Sequence, residues 1–115
     1  MSHHRWVDVP SEQITDTIAR RFITGDSVTI GRFELKRGAV VPSHHHPNEQ
    51  VSIVLSGAIR FIVDGQETIV RAGEVMQIPG HVPHEVEAIE DTLAIDVFSP
   101  VRQDWIDKTD TYFKR

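Results

Sequence analysis

The stretch Gly38-Ala39-Val40-Val41-Pro42-Ser43-His44-His45-His46-Pro47-Asn48-Glu49-Gln50 puts three consecutive histidines inside the chain, after a segment that reads as extended. On a strand, successive side chains leave on opposite faces, so His44 and His46 can converge on one ion while His45 points away. Imidazole serves zinc, nickel, copper, iron and manganese alike, which makes the pair a general grip for one divalent transition metal. Gln50 opens a strand-like run to Ser56 in which Gln50, Ser52, Val54 and Ser56 share a face, opposite Val51, Ile53 and Leu55. With the even positions inward, Gln50 points where a metal could be. Farther on, His84, Val86 and Ala88 alternate with Glu85 and Glu87, which makes the His84 face the buried one. Cysteine is absent, so disulfide, thiolate and Cys-type zinc chemistry are excluded, and a metal must sit on His, carboxylate or amide groups.

The elements that must position these residues are short and β-rich. From Ile14 to Ser99, runs of β-branched and aromatic residues are separated by turn signals, the pattern of a sandwich or barrel. The clearest hairpin joins Ile59–Val63 to Gln66–Val70 through Asp64-Gly65, a pair suited to a two-residue type I′ turn. Ile14 to Thr24 fits a helical spacing (Ile14, Ile18, Phe22) as well as a period of two, and is read as one strand. Past Ser99-Pro100 the β pattern stops, and Arg102 to Asp107 is expected to form a short helical turn anchored by Trp105 and Ile106. The 115 residues suffice for one domain, read as an N-terminal arm over 1–13 and a single β-barrel over 14–115. The arm has too little core of its own, so it is expected to lie across a partner's sheet in a homodimer, with Trp6 and Val9 as anchors. Twelve basic and seventeen acidic residues give 12 − 17 = −5, with the basic ones scattered, which argues against nucleic acid or an anionic membrane as partner. Met1 to Asp8 carries no apolar run, and no stretch approaches the roughly 20 apolar residues of a membrane span, so a cytoplasmic location is expected.

At these residues the chain resembles the cupins. The family's first motif runs Gly, five residues, His-x-His, three or four residues, Glu, six residues, Gly, and Gly38, His44, His46, Gln50 and Gly57 stand at those intervals with only the Glu changed. In the second motif, Gly, five residues, Pro-x-Gly, two residues, His, three residues, Asn, the positions Gly73, Pro79 and His84 match, whereas His81 replaces the second glycine and Ala88 the asparagine. The resemblance implies a six- to eight-stranded antiparallel jelly-roll barrel with His44, His46, Gln50 and His84 as metal ligands. A glutamate would offset one unit of the ion's charge and an amide offsets none, so the site should favour a small anionic chelating substrate. The stretch from Glu85 resembles the small cupins of pectin and alginate breakdown, which open unsaturated monouronates. Their Asp-x-Phe-x-x-x-Arg set is matched by Asp96, Phe98 and Arg102. That implies Asp96 as proton carrier, Arg102 as carboxylate clamp and Phe98 as the wall packing the sugar.

Plainer readings stand beside these. Consecutive histidines can be solvated polar residues, Gln50 could bind a metal-bound water instead of the ion, and Glu49 competes with it for the ligand role. His81 reads as a loop residue, and His3, His4 and His45 as exposed. On the strand Leu93 to Phe98 the face of Leu93, Ile95 and Val97 is the more apolar, so ordinary burial would leave Asp96 in water, unless that face packs in a dimer. Arg102 could be a surface ion-pairing residue. Ser52, Phe61, Met76 and Ile78 read as wall or core. The competing functions are a non-redox sugar-acid enzyme, an iron or nickel dioxygenase of a small enolisable substrate, and a non-catalytic metal-assisted binding module.

Overall fold

The computed structural model describes residues 1–111. After a 3-10 turn at Trp6–Asp8, ten strands follow: β1 (Glu12–Thr15), β2 (Ile18–Thr24), β3 (Thr29–Leu35), β4 (Val40–His44), β5 (Glu49–Ser56), β6 (Ala58–Val63), β7 (Gln66–Arg71), β8 (Val75–Ile78), β9 (His84–Ala88) and β10 (Thr92–Ser99), then α1 (Gln103–Ile106). They build a six-stranded sheet in the order β1-β2-β3-β10-β5-β8 and a four-stranded sheet in the order β4-β9-β6-β7. Every pairing is antiparallel, and the two sheets make the jelly-roll architecture that the sequence implied. The strand count exceeds the expected six to eight because the four-residue strands β1 and β8 extend both edges of the larger sheet. Ile18, Phe33, Val54, Ile78 and Phe98 from one sheet meet Ile59, Phe61, Val70 and Ala88 from the other in a single buried cluster.

The β6–β7 hairpin turns at Asp64 and Gly65, whose φ values of 49° and 81° are the positive pair a type I′ turn requires. The expected single strand over Ile14–Thr24 is instead the β1–β2 hairpin, turning at Asp16 and Thr17. There the Thr17 N–H donates to the Thr15 Oγ1 at 3.2 Å, a side-chain turn that needs neither Gly nor Pro. The N-terminal arm has a seat on its own chain. Arg21 Nη1 donates to the carbonyls of Trp6 (2.6 Å) and Val9 (3.1 Å), although the turn Trp6–Asp8 has no buried residue, in keeping with an arm that has little core of its own.

The helical turn after β10 is present, but only one of its two expected anchors is buried. Trp105 is 2% exposed and Ile106 43%. Adjacent residues on a helix point roughly 100° apart, so one turn cannot aim both inward. Trp105 enters over Gly31 of β3, where a side chain would already be 3.0 Å from the indole ring. Phe22, Phe33 and Phe98 meet it edge-on at centroid distances of 5.4, 5.8 and 4.9 Å. Arg20, itself buried, lies 4.2 Å above the ring and pairs with Glu12 (3.2 Å) and Asp110 (3.1 Å), which ties the chain's last described turn to β2. Among the described residues no helix is long and apolar enough to cross a membrane.

Candidate metal centre

His44 closes β4 and His84 opens β9, and the two are register partners in the four-stranded sheet. His46 follows on the loop, and Gln50 stands near the start of β5, paired with Phe98 of β10. One ring nitrogen from each of His44, His46 and His84 lies within 4.8 Å of the others. His46, Gln50 and His84 are buried and His44 is half-buried, while His45 is exposed, as the alternation predicts.

The backbone sets the chemistry of these rings. Nδ1 of His44 lies 2.7 Å from the Pro42 carbonyl, Nδ1 of His46 3.1 Å from that of Asn48, and Nδ1 of His84 2.9 Å from that of Val82. A carbonyl only accepts, so each Nδ1 carries the proton and each Nε2 presents a lone pair. Burial pushes the His44 pKa down to about 4 and that of His46 to about 3, and lowers His84 as well, with the Arg102 charge adding to the effect. The rings are therefore neutral at pH 7, the form that binds metal.

Two contacts show that the residues fit an ion. His84 Nε2 is buried without a hydrogen-bond partner. His46 Nε2 lies 3.1 Å from Gln50 Oε1, although both atoms are acceptors in this arrangement. Such contacts cost stability that a shared cation would offset, and three imidazoles with an amide oxygen suit a divalent transition metal.

Glu49 is not part of the cluster: it is exposed and accepts from Gln77 Nε2 at 2.9 Å. His81 is exposed, and its contribution is made by its main chain. With φ at +67° it takes the left-handed conformation that a glycine would adopt without strain, and its N–H donates to the His46 carbonyl at 2.7 Å. Next to it, Gly80 lies so close to the loop before β5 that a Cβ would be 2.5 Å from the Pro47 carbonyl oxygen.

On β10 the inward residues are Thr92, Ala94, Asp96 and Phe98, so Asp96 faces the cavity despite the apolar Leu93, Ile95 and Val97 opposite. That opposite face is itself half-buried, because β10 runs between β3 and β5 in the middle of the larger sheet. Burial raises the Asp96 pKa to about 6, against the opposing pull of a Ser52 hydrogen bond and the Arg102 charge. Arg102 is not a surface residue. It is 2% exposed, with Nε and Nη2 donating to the two carboxylate oxygens of Asp104 at 3.0 and 2.9 Å. Its guanidinium carbon lies 4.6 Å over Phe98 and 4.5 Å over Trp105. Phe98 also meets His46 at 5.7 Å. His44, Gln50, His84, Asp96, Phe98 and Arg102 line one cavity of about 50 Å³, whose remaining wall is largely apolar.

Three polar residues of the site escaped the sequence reading. Ser52, read as wall, accepts from Gln50 Nε2 at 2.9 Å; its signal was a hydroxyl on the inward face, two residues from Gln50. Asn48 is buried and its Nδ2 donates to the carbonyls of Pro100 (2.6 Å) and Val101 (3.1 Å), joining the histidine loop to the end of β10. Asp104 anchors Arg102. Neither Asn48 nor Asp104 carries a pattern that spacing alone could distinguish.

The family model described as a cupin domain matches residues 31–98. The pectin degradation protein KdgF of Dickeya dadantii (strain 3937) is 28% identical over 102 residues, covering 86% of this chain and 93% of that relative. An uncharacterized protein of Streptomyces coelicolor is 30% identical over 81 residues, 70% of this chain and 77% of its own length. Among solved structures, KdgF from Halomonas sp. superposes with a TM-score of 0.86 at 27% identity, covering 91% of this chain and 98% of that one. An RmlC-like cupin from Shewanella frigidimarina NCIMB 400 gives 0.84 at 28% identity, over 90% and 96%.

Proposed function

Because the chain belongs to the cupin family, we propose that it is a metal-dependent, non-redox enzyme acting on a small sugar acid, opening or tautomerising the ring of an unsaturated monouronate. The observation that carries this reading is that Asp96, with a pKa near 6, shares one cavity with the histidine cluster and the buried Arg102. The likeness to a pectin degradation protein over most of both chains supports the substrate class.

A divalent ion held by His44, His46, Gln50 and His84 keeps its full charge, and when bound it supplies Lewis-acid polarisation of a substrate oxygen. In this reading Arg102, fixed edgewise by Asp104 and flanked by two rings, binds the substrate carboxylate, supported by its position on the cavity wall. Asp96 takes the proton leaving the anomeric hydroxyl as the ring C–O bond opens and delivers a proton to the vinylic carbon, so the product is an isomer and no oxidant is consumed. A pKa near the working pH suits both halves of that transfer. A cytoplasmic homodimer belongs to the same reading. Its support is the outer face of the larger sheet, where Leu55 and Val75 are exposed beside Val51, Ile53, Ile95 and Val97. A monomer in light scattering would remove the dimer.

The test is elemental analysis of the purified protein, combined with a spectroscopic assay on unsaturated galacturonate and mannuronate, with Gln50→Ala and His84→Ala as controls. Conversion by the metal-loaded wild type and its loss in both variants is expected. Tight uronate binding with no conversion would overturn catalysis and leave a binding module, and oxygen uptake would move the reaction to the dioxygenases.

A further inference from the structure

The amide of Gln50 stands between neighbours with opposite demands. On one side is His46 Nε2, 3.1 Å from Oε1, a lone pair that would take an N–H if the amide were turned over. On the other are Ser52 Oγ at 2.9 Å and Asp96 Oδ2 at 3.4 Å, both within reach of Nε2. An ionised carboxylate can only accept, so the Asp96 side fixes the NH2 group inward and turns Oε1 to the histidines. Ser52, 1% exposed and the cross-strand partner of Asp96, holds the same orientation from the β5 side.

We propose that Asp96 and Ser52 are positioning residues for Gln50. They aim its carbonyl oxygen at the metal, and they make an amide, not a carboxylate, the side chain required at position 50. A glutamate there would have no N–H for Ser52 and Asp96 and would set a second carboxylate against Asp96. This role is separate from proton transfer to a substrate and holds whether or not the sugar-acid reading does. It rests on metal binding by the histidine cluster.

The experiment is a Co²⁺ titration of the full chain, read by visible absorption and by competition with a chelator of known affinity. It covers wild type, Gln50→Glu, Asp96→Asn, the double variant and Ser52→Ala. Removing outer partners of a metal ligand costs roughly 10–100-fold in affinity, which is the loss expected for Ser52→Ala, with an altered Co²⁺ spectrum. The gain in affinity from Gln50→Glu is expected to be at least tenfold larger in the Asp96→Asn background than in wild type. A difference above threefold supports the coupling, and one below threefold overturns it. Should either Asp96 variant fail to fold, Ser52→Ala decides on the same threshold. A wild type that binds no Co²⁺ defeats the metal reading and this inference with it, whereas additive substitutions in a metal-binding protein defeat the inference alone.

Discussion

His44, His46 and His84 each give their Nδ1 proton to a main-chain carbonyl two residues away, whereas Gln50, Asp96 and Arg102 are held by other side chains: Ser52, one another and Asp104. The first arrangement depends only on local backbone conformation. It fixes each tautomer independently, so a substitution at one histidine leaves the other two as they were. In the second, Ser52, Gln50 and Asp96 form one buried network that should respond as a unit, while Arg102 is held by Asp104 and acts on Asp96 through its charge. The histidine half should therefore break residue by residue, and the Ser52–Gln50–Asp96 half collectively.

The largest expected effect is on the histidine half. His84→Ala should lower metal affinity by more than the roughly 100-fold that loss of an outer partner can cost, with some loss of stability from the void and the freed Val82 carbonyl. Stoichiometric metal in that variant, by elemental analysis, would erase the distinction between the halves. Asp96→Asn comes next. With saturating metal, turnover should fall by about 10²–10⁴-fold while the protein stays loaded, and unchanged turnover would remove the acid-base role.

The same substitution has a third consequence in the metal-free protein. A folded pKa near 6 against 3.8 unfolded means that the ionised carboxylate opposes folding above about pH 6, and that this penalty disappears below about pH 4. Asp96→Asn should thus raise metal-free stability near pH 7 by about 3 kcal/mol, the gain shrinking to nothing at acid pH in denaturant melts. The histidines act with the opposite sign. Their folded values lie below 6.5, so the unfolded chain takes up protons first and stability declines as pH falls through 6.5, toward about 4 for His44 and 3 for His46. The smallest effects lie outside both halves. His81→Gly should add about 1 kcal/mol by relieving a left-handed φ, and His45→Ala should change neither metal content nor melting temperature.

The same division explains what could be read from the sequence. Period-two alternation placed Gln50 inward on β5 and His84 inward on β9, and each of these strands has one face plainly more buried. On β10 that logic pointed the wrong way. Leu93, Ile95 and Val97 lie half-buried on the outer face of the larger sheet, so the more apolar face is not the inward one, and only the resemblance placed Asp96 inside. Arg102 was likewise legible only through the resemblance, and its partner Asp104 was not legible at all. An arginine and an aspartate two residues apart are usually a solvated pair, and here the ring of Trp105 draws them under cover. The turn at Asp16 and Thr17 left no glycine or proline to mark it.

Gly80 lies against the Pro47 carbonyl, and the His81 N–H is bonded to that of His46, so the segments carrying the ligands are clasped together across 38 positions of sequence, from His46 to His84. Parting them would break that bond, so an ion held between them is expected to come and go along the cavity, its loss limited by its ligand bonds more than by breathing of the fold. Variants that loosen the distant β1–β2 hairpin should melt earlier and yet surrender their metal no faster.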